Sequence, residues 1–247
     1  MNTYLINVEK EFYKLRSRKK YFVFLIIAAA VVAVRALGTV LIAKLTDGSV
    51  TLNGNIALEM LRFLAEILVP IIIFMAAADL FSTQMREDTL KADLIRPVTR
   101  LKLLLAKVTA IMLMSALYFG VFFIVCVITQ LITGSSFRFV PHSLLAYLLD
   151  LIPLINIALM AVLINLIAAS PSMAMVLCLA VYVVMKYFSY YVSGVGQMLF
   201  TSYALWHNLW IGSIMPFSAM IGKLGILFGS MLILFSVSYI IFDRKDI

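Results

Sequence analysis

Hydrophobic residues along the chain are gathered into six long runs that are separated by polar intervals. The runs extend over roughly Tyr21 to Leu45, Leu61 to Thr83, Leu103 to Ile132, Leu144 to Ala168, Met173 to Ser193 and Ile221 to Phe242. An apolar stretch of about 20 residues is long enough for a helix to cross the hydrocarbon core of a bilayer. The pattern therefore predicts an all-α membrane protein with six transmembrane helices, which forms one domain over residues 1–247.

The first twenty residues have a different pattern, in which apolar and charged positions alternate with helical spacing. Leu5, Val8, Phe12 and Leu15 share one predicted face, and basic residues surround it. A helix with a basic face and low overall hydrophobicity is suited to lie in the lipid headgroup layer. Residues 1–20 are therefore predicted to form an amphipathic interfacial helix.

Residues 194–220 are aromatic and apolar, but glycines and a proline interrupt them. They are predicted to form one or two short helices in the outer leaflet rather than a full span. Trp206 and Trp210 are four positions apart, as expected for rings that anchor a segment at the membrane interface.

The charged residues change this picture by giving it an orientation. The chain is 64% apolar with a net charge of +8, and fourteen of its twenty Lys and Arg lie in residues 1–20, in residues 84–107 and in the tail. If these segments are all cytoplasmic, the positive-inside rule is satisfied. We therefore predict a multi-pass membrane protein with both termini cytoplasmic, whose basic groups contact anionic membrane lipids rather than nucleic acid. Cys126 and Cys178 lie inside apolar runs and are interpreted as small core residues.

The longest polar interval between the first and last spans is residues 84–100. Leu90, Leu94 and Val98 recur every four residues, so a short helix here would keep one apolar stripe and one charged face. Pro97 disfavours helical backbone angles at Arg96, so this helix is expected to end there. The interval is predicted to be a cytoplasmic helix between spans two and three that is accessible to another protein.

Five charged residues fall inside the predicted spans, where each is costly unless it faces water, a partner or the bundle interior. They are Arg35, Glu66, Asp79, Asp150 and Lys186. Their depths suggest the ion pairs Arg35 with Glu66 and Lys186 with Asp150. Such groups either line a substrate path or hold neighbouring helices together, and the sequence leaves both readings open.

Catalytic chemistry has little support in the sequence. His142 and His207 are isolated in outer regions, and no cluster of carboxylates or imidazoles has metal-ligand spacing. The chain contains no GxxxxGK[ST] phosphate-binding loop. We therefore expect no catalytic residue, metal site or cofactor in this chain, and we expect that any energy for its work comes from another subunit.

Three patches carry a resemblance to a known family. The central patch contains Glu87, Thr89 and Leu90, then Arg96-Pro97-Val98 and Arg100, then Lys107. The other two patches are the entry EFYKLRSRKKYF and the ending FDRKDI. In this order they resemble the ABC-2 type transporter permeases, the six-span membrane subunits of bacterial ATP-binding-cassette exporters. Asp88 departs from the family pattern, which usually has glycine at that position.

This resemblance implies a non-enzymatic permease subunit of the bacterial plasma (inner) membrane, which exports a hydrophobic or amphipathic peptide, lipid or drug. Its implied partners are two copies of an ABC ATPase, which would bind ATP and Mg²⁺, and a second permease that is identical or homologous. The ATPase would dock on a coupling helix, and the implied contact residues are Arg86, Glu87, Asp88, Thr89, Leu90, Lys91, Leu94, Arg96 and Pro97. An immunity or sensing protein that binds an antimicrobial peptide or lipid without transport is the alternative, and a membrane-embedded enzyme ranks third.

Overall fold

The computed structural model describes residues 3–45, 55–89, 99–132, 138, 140–210 and 217–245, and each regular element within these ranges is helical. The N-terminal helix is Thr3–Arg16. Spans one to six are the helices Lys19–Leu45, Ile56–Arg86, Arg100–Ile132, Val140–Ile167, Pro171–Tyr191 and Phe217–Arg244. Six helices are thus long and apolar enough to cross a membrane, which confirms the predicted number by length and composition.

Spans two and four form the centre of the bundle and are the most buried of the six. Span three packs against both of them, span five packs against both from another side, and span six packs mainly on span four. The outer helices expose large aliphatic side chains such as Val34, Val176 and Leu232. Exposed aliphatic surface of this kind is expected where helices face lipid rather than water.

Span two is continuous but irregular, because two π-helical turns interrupt it at Leu64–Leu68 and Asp79–Thr83. Each π-helical turn carries a carboxylate, Glu66 in the first and Asp79 in the second, whereas the third carboxylate of this span, Glu59, lies in its first α-helical turn. Short π-helical segments inside α-helices are frequent at functional sites. Span two therefore presents two of its three acidic side chains at local distortions, one toward each end of the helix.

The N-terminal helix packs along span three, so part of its surface is protein core. Val8 and Leu15 are buried as the apolar pattern predicts, but Leu5 is 59% exposed and does not share their environment. The buried face is completed by the polar residues Asn7 and Glu11. The sequence pattern did not anticipate a carboxylate on the packed side, and the prediction that this helix lies in the headgroup layer stays a prediction.

Residues 193–210 form short helical turns at Ser193–Gly196, Phe200–Tyr203 and Trp206–Leu209. Trp206 is 1% exposed and its ring packs edge-on against Tyr203, with ring centroids 5.9 Å apart. The prediction that Trp206 anchors the segment at the membrane interface was wrong, because this part of the chain folds back into the bundle. Trp210 is 48% exposed and keeps an environment suited to that role.

Candidate functional site

The cytoplasmic coupling segment predicted between spans two and three begins where span two ends at Arg86. Gln84 is buried, whereas the side chains of Arg86, Glu87, Asp88 and Thr89 are exposed. The Thr89 hydroxyl donates to the carbonyl of Gln84 over 3.3 Å and so holds the turn against the helix end. A polar surface thus emerges directly from the end of a buried helix.

Asp88 has a positive φ of 54°, in the left-handed region that favours glycine. Aspartate tolerates this region better than most residues with a side chain. The departure from the family pattern at Asp88 therefore keeps the backbone conformation that glycine would adopt. Five of the predicted contact residues lie outside the described residues: Leu90, Lys91, Leu94, Arg96 and Pro97.

A buried ionic group lies directly behind this turn. The Lys107 ammonium on span three donates to Glu11 Oε2 over 3.0 Å, to Gln84 Oε1 over 2.6 Å and to the Leu80 carbonyl over 3.2 Å. Lys107 is 0% exposed and Glu11 is 1% exposed. The N-terminal helix is therefore joined by a buried ion pair to the two spans that flank the coupling segment.

Two opposing effects, burial and nearby positive charge, determine the ionisation of Glu11. Burial alone would raise the pKa of this carboxyl, but the attraction of Lys107 and the hydrogen bond from Lys14 outweigh it, so that the pKa lies below its ordinary value. Glu11 is therefore ionised at neutral pH. The sequence signal for this pair was Lys107 itself, since a lysine inside an apolar run requires an anionic partner.

Asp79 forms a second ionic contact at the same end of the bundle. Its Oδ1 accepts from Arg18 over 2.9 Å and from Lys20 over 2.7 Å, and its Oδ2 accepts from the Tyr21 hydroxyl over 2.7 Å. Asp79 is 3% exposed, whereas the two cations are partly exposed. The basic junction between the N-terminal helix and span one is thereby fixed to span two.

The start of span three, which follows the coupling segment in the chain, is also held in place. Arg100 there donates to the carbonyls of Phe242 and Asp243 at the end of span six. Lys245 in turn donates to the carbonyl of Leu166 at the end of span four. Basic side chains commonly satisfy the last carbonyls of a helix in this way. Spans three, four and six are therefore linked at the ends that lie beside the predicted coupling segment.

In the half of the bundle farther from the coupling segment, the structure corrects the first predicted ion pair. Glu66 accepts from Lys186 of span five over 2.9 Å, and from Arg62 one turn earlier over 3.4 Å, rather than from Arg35. The guanidinium of Arg35 lies 4.5 Å from the ring centroid of Phe63, in a cation–π contact. Depth along the helices was a poor guide because it does not determine which faces meet.

A proline explains why Lys186 meets Glu66. Pro70 has no N–H, so the carbonyl of Glu66 lacks its usual donor four residues later. The Tyr182 hydroxyl of span five donates to that carbonyl over 2.9 Å. Since Lys186 follows Tyr182 by about one helical turn, it lies on the same face of span five and reaches the carboxylate.

The second predicted pair, Lys186 with Asp150, was also wrong. Asp150 accepts from the backbone N–H of His207 over 2.7 Å, and its other oxygen lies 2.8 Å from His207 Nδ1. Asp150 is 0% exposed and His207 is 5% exposed, so His207 is not an isolated interface residue. The pair ties the Trp206–Leu209 turn to span four.

We expect His207→Leu to destabilise the protein by about 1–3 kcal/mol, because it leaves a buried Asp150 oxygen without its side-chain partner. His207→Asn should recover part of this loss, since its amide nitrogen can still donate at the position of Nδ1. Thermal unfolding in detergent measures both variants, with Trp210→Phe as the control at an exposed site of the same segment. Equal melting temperatures for the leucine variant and the control would contradict the assigned role.

Among the residues that the structure describes, no group of three or more His, Cys, Asp or Glu side chains is placed to hold a metal ion. Cys126 and Cys178 are buried free cysteines, as the sequence predicts. A family model described as ABC-2 family transporter protein matches residues 7–187, which includes most of the N-terminal helix and spans one to four in full. No curated protein matches the chain significantly.

Proposed function

The chain belongs to the ABC-2 transporter family, and from this membership we propose that it is a permease subunit driven by a separate ABC ATPase. Membership supports the general role of a membrane component of an ABC transporter. The transported molecule is proposed to be hydrophobic or amphipathic, such as a peptide, a lipid or a drug. The complex is proposed to contain two ATPase chains, which bind ATP and Mg²⁺, and a second permease.

The observation that carries the proposal is the connection between the exposed turn and the buried ionic group behind it. Arg86 to Thr89 are accessible. Gln84, two residues before Arg86, accepts a hydrogen bond from Lys107 of span three and donates one to Glu11. A displacement of residues 86–97 would therefore act on spans two and three and on the N-terminal helix together. Rigid helices of this kind can transmit a rigid-body movement to the opposite side of the membrane.

The orientation proposed for this chain in the membrane follows from where its basic residues lie in the sequence. The N-terminal helix, the coupling segment and the tail carry most of the basic residues and are proposed to be cytoplasmic. The membrane is proposed to be the bacterial plasma membrane. Both termini would then lie on the side where ATP is available.

A pull-down of the ATPase tests the proposal. We expect Glu87→Lys to reduce the amount of ABC ATPase that copurifies with the permease by about tenfold or more, because reversing a charge at an interface costs several kcal/mol. The matched control is Glu9→Lys, which reverses an exposed carboxylate on the N-terminal helix outside the coupling segment. Equal copurification in both variants and the wild type would contradict docking at residues 86–97.

A further inference from the structure

Spans two and five enclose an open groove on the side of the bundle at the level of the Glu66–Lys186 ion pair. Below the pair it has a volume of about 330 Å³ and is lined by apolar side chains that include Pro70, Phe74 and Leu179. Above the pair it continues into a second volume of about 490 Å³, lined by polar groups that include Arg62 and Tyr190. Both volumes fall within the range of about 300–1,000 Å³ that is usual for sites of small ligands.

The two volumes share Glu66, Val183 and Lys186, so they form one continuous groove with an apolar lower half and a polar upper half. This division suits an amphipathic occupant, whose chain would lie beside Pro70 and whose head group would lie beside the ion pair. Tyr187, Tyr190 and Tyr191 are 57%, 78% and 66% exposed at the nearby end of span five. Exposed tyrosines of this kind are typical of the headgroup level, which places the polar half of the groove where lipid head groups lie.

Positive charges outnumber negative charges where the two halves of the groove meet. Two cations, Arg62 and Lys186, contact the single carboxylate of Glu66, and Glu66 is the one acidic residue among the described residues that line the two volumes. The group therefore carries one positive charge in excess. Because charges attract strongly where water is scarce, that excess favours an occupant with one net negative charge over a zwitterion.

The ion pair is accessible to such an occupant. The side chains of Glu66 and Lys186 are 26% and 24% exposed, in contrast to Glu11 and Lys107, which are sealed inside the bundle. Arg62 is 70% exposed and is held to Glu66 only over 3.4 Å. An entering anion can therefore contact both cations without unfolding either helix.

We propose that this groove binds an outer-leaflet phospholipid with a singly charged anionic head group, of the phosphatidylglycerol type. The phosphodiester would accept hydrogen bonds from Lys186 and Arg62, and one acyl chain would occupy the apolar half beside Pro70 and Phe74. Glu66 competes with the lipid phosphate for the two cations and thereby limits its affinity. The lipid need not be transported, so the assignment to the outer leaflet rests on the proposed orientation, but binding at this site does not depend on the proposed transport.

Native mass spectrometry of the full-length purified protein with dioctanoyl-phosphatidylglycerol and dioctanoyl-phosphatidylcholine tests the site. The wild type is expected to bind phosphatidylglycerol about tenfold more tightly than phosphatidylcholine. Lys186→Gln should reduce this preference to about threefold or less, whereas Glu66→Gln should increase it several-fold because it removes the competing anion. The opposite directions distinguish a lipid site from a merely structural ion pair, whose loss would have the same effect from either side.

Two controls keep the result interpretable. Arg138→Gln removes an exposed cation between spans three and four, outside the groove, and should leave the preference unchanged. Arg62→Gln removes one cation from the polar half of the groove and leaves the Glu66–Lys186 contact in place. It therefore tests the lipid site even if Lys186→Gln fails to fold. Glycerol phosphate at millimolar concentration should not compete, since it lacks the chain that fills the apolar half.

Equal affinity of the wild type for the two lipids would overturn the proposal, as would a loss of preference in both Lys186→Gln and Glu66→Gln. A dimer that dissociates on replacement of Lys186 while the lipid preference stays unchanged would assign the groove to a second copy instead. The measurement requires neither ATP nor an ATPase. A protein that prefers phosphatidylglycerol but does not copurify an ATPase would therefore contradict only the proposed permease function.

Discussion

Replacing Lys107 with methionine is expected to destabilise the protein by about 3–5 kcal/mol, because it leaves the Glu11 carboxylate buried without its counter-charge. Lys107 is 0% exposed, and three acceptors surround its ammonium within 3.2 Å. Water cannot readily replace the lost partner at such a position. The melting temperature and the denaturant midpoint in detergent measure the effect.

The double variant Lys107→Met/Glu11→Leu should recover most of the lost stability, since it removes both buried charges at once. Lys102→Met is the control, because Lys102 is exposed near the start of the same helix. Additive losses in the double variant would show that the two side chains do not interact, and would contradict the ion pair.

The same pair implies a specific dependence on pH. Since the pKa of Glu11 in the folded protein lies below its ordinary value of 4.5, the pair contributes stability above that value and loses it as the pH falls further toward the folded pKa. The stability difference between the wild type and Glu11→Gln should therefore be constant from about pH 7 to pH 5 and should shrink below about pH 4.5. Melting curves of both proteins over this range measure the difference.

Replacing Asp79 with asparagine should release the N-terminal helix at its junction with span one. Arg18 and Lys20 can regain water because they are partly exposed, but the buried hydroxyl of Tyr21 loses its charged acceptor. We expect a destabilisation of about 1–3 kcal/mol from that group. Hydrogen exchange over residues 3–16 should become faster, while exchange in span four should stay as in the wild type.

Asp243→Asn is the matched control for Asp79→Asn, because the side chain of Asp243 is exposed at the end of span six. It should leave exchange over residues 3–16 unchanged. Unchanged exchange in both variants would contradict the role assigned to Asp79, since the helix would then be held by its packing on span three alone.

The number of spans was predictable because lipid requires long apolar helices, and such runs are visible directly in the sequence. The pairing of the intramembrane charges was not, because depth is read from sequence position whereas the face of a helix depends on its neighbours. Glu66 illustrates the point. Pro70 leaves the Glu66 carbonyl without its helical donor, and the Tyr182 hydroxyl donates to that carbonyl instead. Lys186, on the same face of span five as Tyr182, then reaches the Glu66 carboxylate. A search for donors at helical spacing opposite a proline-freed carbonyl would have found this pair.

The ionic contact between Lys107 and Glu11, beside the coupling segment, was only partly predictable. Lys107 was recognised through its place in the family pattern, but its partner Glu11 looked like an ordinary solvated residue of an amphipathic helix. The helix is turned so that Glu11 faces span three and Leu5 faces outward. The packed face therefore combines the apolar side chains Val8 and Leu15 with the buried Glu11–Lys107 pair, and an unpaired Lys107 there would be costly.

The turn at Asp88 concerns the position at which the sequence departs from the family pattern. Aspartate there adopts the positive φ of 54° that glycine would adopt. Glycine could therefore take the same backbone conformation between the exposed residues Glu87 and Thr89.

Site-specific cross-linking tests most directly whether a separate ATPase acts on this chain through residues 86–97. A photoreactive residue at Thr89, which is exposed at the end of span two, should cross-link to an ABC ATPase in membranes, and mass spectrometry of the product identifies the partner. The same residue at Tyr190, which is 78% exposed at the other end of the bundle, should not. A cross-link to the ATPase from Tyr190 but none from Thr89 would contradict the account.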